Sequence, residues 1–212
     1  MPDCSGMEIL MGKLDEKKRQ KREALLVSAF SLFTSKGIND TSISDIVKHA
    51  NMAKGTFYLY FKDKFDIRDK LIVTKAMQLF HNAMENIKKE DLQTLEEEII
   101  YIADGLINQL DENKMLLRFI SKNLSWGVFH HVLLTGTDES GGCSFYDGYM
   151  ALLNKSGRKF RNPNLMLYLI VEFINAACYN VILQQEPVTL DELKPELYGT
   201  IVDIVHRQEI KE

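Results

Sequence analysis

The chain has 212 residues, of which 45% are hydrophobic and 26% charged, a balance typical of a globular protein with a packed core and not of a disordered one. Its formal net charge of −4 at pH 7 argues against a protein that coats nucleic acid with its whole surface. The three cysteines, Cys4, Cys143 and Cys178, form no CxxC pair, which favours a reducing compartment over a disulfide framework. The N-terminus has no apolar segment typical of a secretory signal.

Prolines and charged residues are distributed unevenly along the sequence. No proline occurs between residues 3 and 162, which predicts long helices and an all-α fold. Residues 12–64 hold eleven Lys/Arg against six Asp/Glu, whereas residues 65–212 hold fifteen against twenty-two. Six of the bases lie in one run from Lys13 to Arg22. This run is either a solvated helix face or a surface that attracts a polyanion.

Two helices are predicted before residue 51. The first covers residues 17–36, where apolar residues recur three and four positions apart, and Gly37 is a natural stop. The second is short, and either Thr41 or Ser42 can cap it. Asn51 follows, and asparagine is one of the few residues besides glycine that tolerates the left-handed backbone of a tight turn.

The third predicted helix covers residues 54–61. It places Phe57 and Phe61 on one face, as core residues, and Tyr58 on another. Gly55 is unfavourable inside a helix by about 1 kcal/mol relative to alanine, so its position in the first turn indicates that another molecule approaches the backbone closely. Two helices joined by a short turn, the second with Lys, Gly, Thr and Tyr on its open face, form a helix-turn-helix with a recognition helix for the major groove.

Residues 41–64, TSISDIVKHANMAKGTFYLYFKDK, resemble the DNA-binding signature of the tetracycline-repressor (TetR) family of bacterial transcriptional regulators. The resemblance implies an all-α homodimer. Its helix-turn-helix domain, at residues 13–64 after a flexible tail at 1–12, would bind operator DNA. A linker helix would join it to a helical domain, at residues 65–212, that binds a small effector and the partner subunit. Asn51 stands where glycine is common in the family, and Ala53 where a capping serine is common.

The candidate DNA contacts follow from this interpretation. Lys54 is assigned to a base edge or a nearby phosphate, and Gly55 to close backbone approach. Hydroxyl groups can donate to phosphate oxygens, although Tyr60 can equally pack into the fold. Lys64 follows Asp63, a predicted cap of the fourth helix, so the helix N-terminus and the ammonium can share one phosphate. The expected DNA-binding residues are Thr41, Ser42, Lys54, Gly55, Thr56, Tyr58, Tyr60 and Lys64, and for Thr41 or Ser42 plain capping is the alternative.

Residues 63–88 predict a fourth helix, and the chain beyond it is rich in aromatic residues and methionine. A cavity lined by some of these would suit a small apolar or aromatic effector, with an acidic group available for a cationic one. The candidate effector contacts are Phe80, Met84, Tyr101, Asp104, Met115, Phe119, Trp126, Phe129, Tyr149, Tyr168 and Glu172. For each of them, ordinary core packing is the alternative.

Residues 165–183 contain one charge, Glu172, and are long enough to span a membrane. Asn175, Asn180 and the acid favour instead a core helix that also forms a subunit interface. With residues 191–209 it would form a four-helix bundle across a two-fold axis, as the resemblance also implies. We therefore expect a homodimer through 165–183 and 191–209, no membrane, and a roughly palindromic operator.

No catalytic motif competes with this interpretation. The sequence lacks HExxH, GxSxG and Walker-type GK[ST], and His130 and His131 are neighbours that a helix would point about 100° apart. We expect no enzyme activity, no cofactor and no metal site. The resemblance implies a cytoplasmic repressor that leaves its operator when an effector moves the linker helix. The alternatives are a DNA-binding or protein-interaction factor of the same fold without an effector, and a helical enzyme or membrane protein that only contains a helix-turn-helix lookalike.

Overall fold

The computed structural model describes residues 4–85, 87, 91–123 and 145–211, and inside its helices the side chains of residues 4–14, 122, 123 and 145 lie outside the description. The described residues form helices, with one isolated antiparallel bridge between Phe160 and Glu209. In chain order the helices are α1 (Cys4–Ser35), α2 (Ile43–His49), α3 (Lys54–Tyr58), α4 (Lys64–Glu85), α5 (Leu95–Glu112), α6 (Lys114–Asn123), α7 (Phe145–Lys155), α8 (Pro163–Gln184) and α9 (Leu190–Gln208). The all-α prediction is confirmed.

Two boundaries differ from the expected ones. Helix α1 already begins at Cys4, within the segment for which a flexible tail was expected, because no proline after Pro2 interrupts its backbone. Helix α3 ends at Tyr58, and short-range bonds from the Leu59 and Tyr60 amides to carbonyls three residues earlier close its last turn. Helix α4 is described as far as Glu85, and residues 86 and 88 of the expected helix lie outside the described residues.

Internal contacts divide the chain into two compact units, Met1–Leu71 and Ile72–Glu212. In the first unit, α1 packs on α2 and α2 on α3. The core is apolar, and Phe57 and Phe61 bring their ring centroids to 5.5 Å. Its buried members are Leu25, Leu26, Ala29, Phe33, Ile46, Val47, Phe57, Phe61, Ile67 and Leu71. This core fixes the orientation of the short helix α3.

Local chemistry explains where the helices of the first unit start and stop. Gly37 ends α1 with φ +89°, a region that glycine enters without steric cost. Ser42 caps α2 in a capping box: its Oγ accepts from the Asp45 amide at 3.1 Å, and Asp45 accepts from the Ser42 amide at 2.9 Å. Asn51 adopts φ 54° in the turn before α3, and Ala53 supplies no side-chain cap. The expectations for Gly37, Asn51 and Ala53 are confirmed.

In the second unit, α8 packs against α5, α6 and α9. Helix α8 begins after Asn162, whose side chain accepts from the Leu165 amide at 3.0 Å. It is the one described helix long and apolar enough to cross a membrane, by length and composition alone. A core helix meets the same criteria, and α8 buries Met166, Leu167, Ile170, Ile174, Cys178, Val181 and Ile182.

A cluster of ion pairs joins three segments of the second unit. Arg158, after α7, contacts Glu96 in the first turn of α5 and Glu209 after α9, each at 2.6 Å. His206 also contacts Glu96, at 3.0 Å. Burial alone would raise the pKa of Glu96, but the hydrogen bonds from Arg158 and His206 outweigh it and keep that pKa below its ordinary value. The Arg158 guanidinium likewise lowers the pKa of Glu209.

Candidate DNA-binding face and effector cavity

Helix α3 has one buried side and one open side. Phe57 is completely buried and Phe61, just beyond the helix, nearly so. Lys54 and Gly55 are exposed, and Tyr58 keeps 53% of its surface accessible. Because residues four apart on a helix share a face, the lysine and the tyrosine lie together, and the predicted open face is present as a surface.

Gly55 is not required by packing inside the protein. Among the described atoms, none lies within 4 Å of the position that a Cβ would occupy at this residue. The backbone is therefore open to the outside at the first turn of α3. An external surface can approach it more closely than it could approach any residue with a side chain.

The Thr41 hydroxyl is used inside the protein. Thr41 is only 1% exposed, and its hydroxyl donates to the Gly37 carbonyl at 2.7 Å. Ser42 is the exposed member of the pair and caps α2. The turn after α1 uses the Thr41 hydroxyl to satisfy a carbonyl. For Thr41 and for Ser42 the expected contact with DNA stays a prediction.

Lys64 has an internal role that the sequence analysis missed. Its ammonium donates to the carbonyls of Ile38, Asn39 and Thr41, at 3.0, 2.9 and 3.3 Å. Because these carbonyls belong to the turn between α1 and α2, Lys64 ties the start of α4 to that turn. The expected phosphate contact of Lys64 stays a prediction.

Asp63 caps α4 as predicted: its Oδ1 accepts from the amides of Phe65 and Asp66, at 2.7 and 2.9 Å. Hydrogen bonds from the Asp66 and Phe65 amides lower the pKa of Asp63. Thr56 and Tyr60 are half-buried. The Tyr60 ring lies 6.4 Å from that of Phe61, so the packing alternative for Tyr60 has structural support.

The basic run lies on the exposed surface of α1. Arg19 pairs with Glu16 at 2.9 Å and Lys18 with Asp15 at 3.7 Å. The side chains of Lys17 and Lys21 are exposed. They lie four residues apart, on the same face of the helix.

The second unit encloses a cavity of about 160 Å³ with an almost entirely apolar wall. Helices α4, α5, α6, α7 and α8 all contribute to it. The described residues that line it are Ala76, Met77, Leu79, Phe80, Ile99, Ile102, Ala103, Leu106, Leu110, Leu117, Ile120, Ser121, Tyr149, Leu152, Leu167, Ile170, Val171, Ile174, Asn175 and Cys178.

The structure brings two of the eleven predicted effector contacts, Phe80 and Tyr149, to this cavity. Met115 is 51% exposed on α6. Asp104 faces α9, where it contacts Lys194 and Tyr198. For both residues the effector contact stays a prediction. The other described candidates pack elsewhere in the second unit: Met84, Tyr101, Phe119, Tyr168 and Glu172. Trp126 and Phe129 lie outside the described residues.

Sequence reasoning missed the branched aliphatic residues that form most of the wall, and the polar pair Ser121 and Asn175. A search for aromatic side chains does not find them. Hydrophobic periodicity would have found the aliphatic ones as core. Among the described residues, no group of three or more His, Cys, Asp or Glu is arranged to hold a metal ion.

Comparison with known proteins identifies the first unit. The family model "Bacterial regulatory proteins, tetR family" matches residues 25–71, which include α2, α3 and the start of α4. Residues 25–71 therefore carry the sequence pattern of the tetR family. Curated relatives include the HTH-type transcriptional regulator YvdT of Bacillus subtilis, 43% identical over 68 residues, which are 32% of this chain and 33% of the relative. The fatty acid metabolism regulator protein of the same organism is 35% identical over 75 residues, 35% of this chain and 39% of the relative.

These alignments span little more than a third of each relative, whereas similarity of fold extends over most of the chain. The fatty acid degradation regulator FadR from Bacillus halodurans is similar with a TM-score of 0.60 at 19% identity, over 86% of this chain and 94% of that one. FadR from Bacillus subtilis, solved with stearoyl-CoA, has a TM-score of 0.61 at 20% identity, over 85% and 97%. At this identity the two structures show that this chain shares their fold.

Proposed function

We propose that this protein is a cytoplasmic transcriptional repressor that binds a palindromic operator and leaves it when a small, largely apolar effector occupies the cavity of the second unit. The open face of α3 carries the proposal. There Lys54, the uncrowded backbone of Gly55 and the exposed ring of Tyr58 lie side by side, within the region that the tetR family model matches.

The chemistry of this face suits duplex DNA. A lysine at the start of a recognition helix can reach a guanine edge or a phosphate, and a tyrosine hydroxyl can donate to a phosphate oxygen. The exposed bases of α1, Lys17 and Lys21, add positive charge to the same unit. Since phosphate contacts release counterions, we expect binding to weaken steeply as salt concentration rises.

A homodimer through residues 165–183 and 191–209 is part of the proposal. Leu165 and Leu169 of α8 are exposed, large and apolar, and their spacing of four puts them on one face. Burying them against a second copy would remove that face from water. Two-fold symmetry would present two copies of α3 to successive major grooves, about 34 Å apart, which requires a palindromic operator.

Helix α4 is the element through which an effector would act. It begins at Lys64, shortly after α3, and lines the cavity with Ala76, Met77, Leu79 and Phe80. A ligand that prefers another position of α4 would change the spacing of the two recognition helices. Affinity for the operator would then fall by the ratio of the ligand affinities for the two states. The stearoyl-CoA bound to FadR from Bacillus subtilis supports an apolar ligand for this fold.

The small size of the cavity favours a second candidate function. About 160 Å³ is below the roughly 300–1,000 Å³ of most ligand sites. A tetR-family protein that binds DNA or another protein without any effector would need no larger space. The two candidates differ in whether a small molecule releases the operator.

Two substitutions on α3 test the DNA-binding assignment. Lys54→Ala and Tyr58→Ala are expected to abolish operator binding, measured by fluorescence anisotropy with a duplex at fixed salt, and to leave the dimer intact in ultracentrifugation. Lys114→Ala is the control, since Lys114 is exposed in the second unit and the change in net charge is the same. A Lys54→Ala protein that binds DNA as tightly as the wild type would refute the assignment, and a monomer at micromolar concentration would refute the dimer.

A further inference from the structure

Two hydrogen-bonding side chains interrupt the aliphatic wall of the cavity. Ser121 of α6 donates its hydroxyl to Oδ1 of Asn175 on α8, at 2.8 Å, and both residues line the cavity. The Tyr149 hydroxyl is used elsewhere, because it donates to the Pro163 carbonyl at 2.9 Å. Burial raises the pKa of the Cys178 thiol to about 11, so that thiol stays neutral and is a weak donor.

The pair has hydrogen-bonding capacity left over. Within the described part of the chain, the amide nitrogen of Asn175 donates to no acceptor. An amide carries two donors and one acceptor, so in either orientation of the group one polar atom remains for a ligand. A bound molecule displaces the water that would otherwise hydrate this atom. Binding is therefore more favourable when the molecule itself forms a hydrogen bond with the atom.

None of the described residues that line the cavity carries a charge. The expected counter-charges, Asp104 and Glu172, are not part of it, and Asp104 is already paired with Lys194 at 2.7 Å. A charged group in this space would be desolvated without an opposite charge. The volume, about 160 Å³, is close to the roughly 150 Å³ of an apolar cavity that binds benzene.

We propose that the cavity binds a neutral molecule whose apolar body is about the size of one benzene ring and whose single hydrogen-bonding group contacts Asn175 and Ser121. This inference deepens the effector role in the proposed function and rests on it. It excludes carboxylates and amines from the buried part of the effector.

Calorimetric titration of the full chain without DNA tests this with four probes: benzene, phenol, benzoate and benzylammonium. Phenol is expected to bind about fivefold more tightly than benzene, the effect of one net hydrogen bond, and the two ions are expected not to bind. Asn175→Leu should keep benzene binding and lose the preference for phenol. Asn154→Leu, at an exposed position of α7, should behave as the wild type.

Equal binding of benzoate or benzylammonium would overturn the inference, as would an Asn175→Leu protein that still prefers phenol, or a protein that binds none of the four probes. Because no DNA is present, these outcomes are separate from a failure of operator binding. The latter would overturn the proposed function and leave the ligand chemistry of the cavity standing.

A different observation concerns the recognition face. Leu59 is 78% exposed, the highest value among the large apolar side chains in the part of the chain described. Its position is well fixed: its amide donates to the Thr56 carbonyl at 3.3 Å, and Phe57 and Phe61 on either side are buried. Leu59 also follows Gly55 by four residues, about one helical turn, and both are exposed. They lie on one face.

We infer that Leu59 contacts the C5-methyl group of a thymine and so selects thymine at one position of each half-site. Of the four bases, only thymine presents an apolar group in the major groove. This second inference rests on the proposed DNA-binding function, since it needs the face of Gly55 and Leu59 to enter that groove.

Deoxyuridine, which lacks only the methyl group, tests it. Each thymine of the selected operator is replaced in turn, and one position per half-site is expected to cost the wild type about fourfold in affinity, the effect of one buried methyl-sized group. Leu59→Ala should bind the thymine operator more weakly and show no response at that position. Ile210→Ala, an exposed apolar residue of the second unit, should respond as the wild type.

The inference is overturned if Leu59→Ala retains the full response to deoxyuridine, or if no position responds in the wild type while the operator is bound. If no duplex is bound specifically, that result contradicts both the inference and the proposed function. It can be distinguished from the two outcomes above, in which the operator is bound.

Discussion

Lys64→Met is expected to loosen the turn between α1 and α2. The substitution keeps the aliphatic stem and removes the ammonium that donates to the carbonyls of Ile38, Asn39 and Thr41 at 2.9–3.3 Å. A hydrogen bond to a charged group contributes about 1.5–3 kcal/mol. Because water can replace part of the three contacts at this partly exposed site, we expect a total loss within that range and not three times as much.

Two measurements detect this loss. Thermal unfolding should shift down by several degrees, since 1 kcal/mol corresponds to about 2–4 °C for a chain of this size. Amide hydrogen exchange over residues 37–42 should accelerate about ten- to a hundredfold, because the local opening free energy falls. Lys62→Met is the matched control: Lys62 is exposed, and its backbone amide, not its side chain, makes the hydrogen bond to Asp66.

The opposite pattern would refute the reasoning. Lys64→Met could instead leave unfolding and exchange unchanged and reduce the salt dependence of DNA binding by the amount expected for about one phosphate contact. The Lys64 ammonium would then contact DNA and would not stabilise the turn. Loss of both stability and salt dependence would show that the ammonium does both.

Three further outcomes follow from contacts in the two units. Phe57→Ala is expected to lower the free energy of unfolding by about 3–5 kcal/mol, because the ring is completely buried under α3. Circular dichroism will show the lost helicity, and DNA binding will be lost as well. Intact helicity would contradict this expectation. Arg158→Leu should lower the melting temperature at pH 7 by a few degrees, because Glu96 and Glu209 lose their partner. Both carboxyl pKa values lie below their ordinary 4.5, so this stabilisation is present above pH 4.5 and is lost as the pH falls through the folded values. The difference in urea midpoint between wild type and Arg158→Leu should therefore shrink toward pH 3, and a difference that grows would contradict the assignment.

Features that depend on the neighbouring backbone could be predicted from the sequence. Gly37 and Asn51 take positive φ because turns at those points need it. Asp63 caps α4 because a carboxylate just before a helix can accept from its first free amides. These effects act over a few residues, so the residue types and their spacing contain the information.

Features that depend on the relative orientation of the helices could not be predicted from the sequence. The Lys64 ammonium reaches carbonyls 23–26 positions earlier in the chain, and no local pattern indicates such a contact. Met115 and Phe80 are equally good cavity residues by type, yet one is at the surface and the other lines the cavity. Composition identified an apolar site, but the packed fold decides which side chains form it.

Selection from a random duplex library at stated salt tests the central claim most directly. The account predicts enrichment of a palindrome with half-sites about one helical turn apart, about 34 Å, and loss of that enrichment with Lys54→Ala. Recovery of no sequence above the salt-sensitive background would contradict it, because the open face of α3 would then not read DNA.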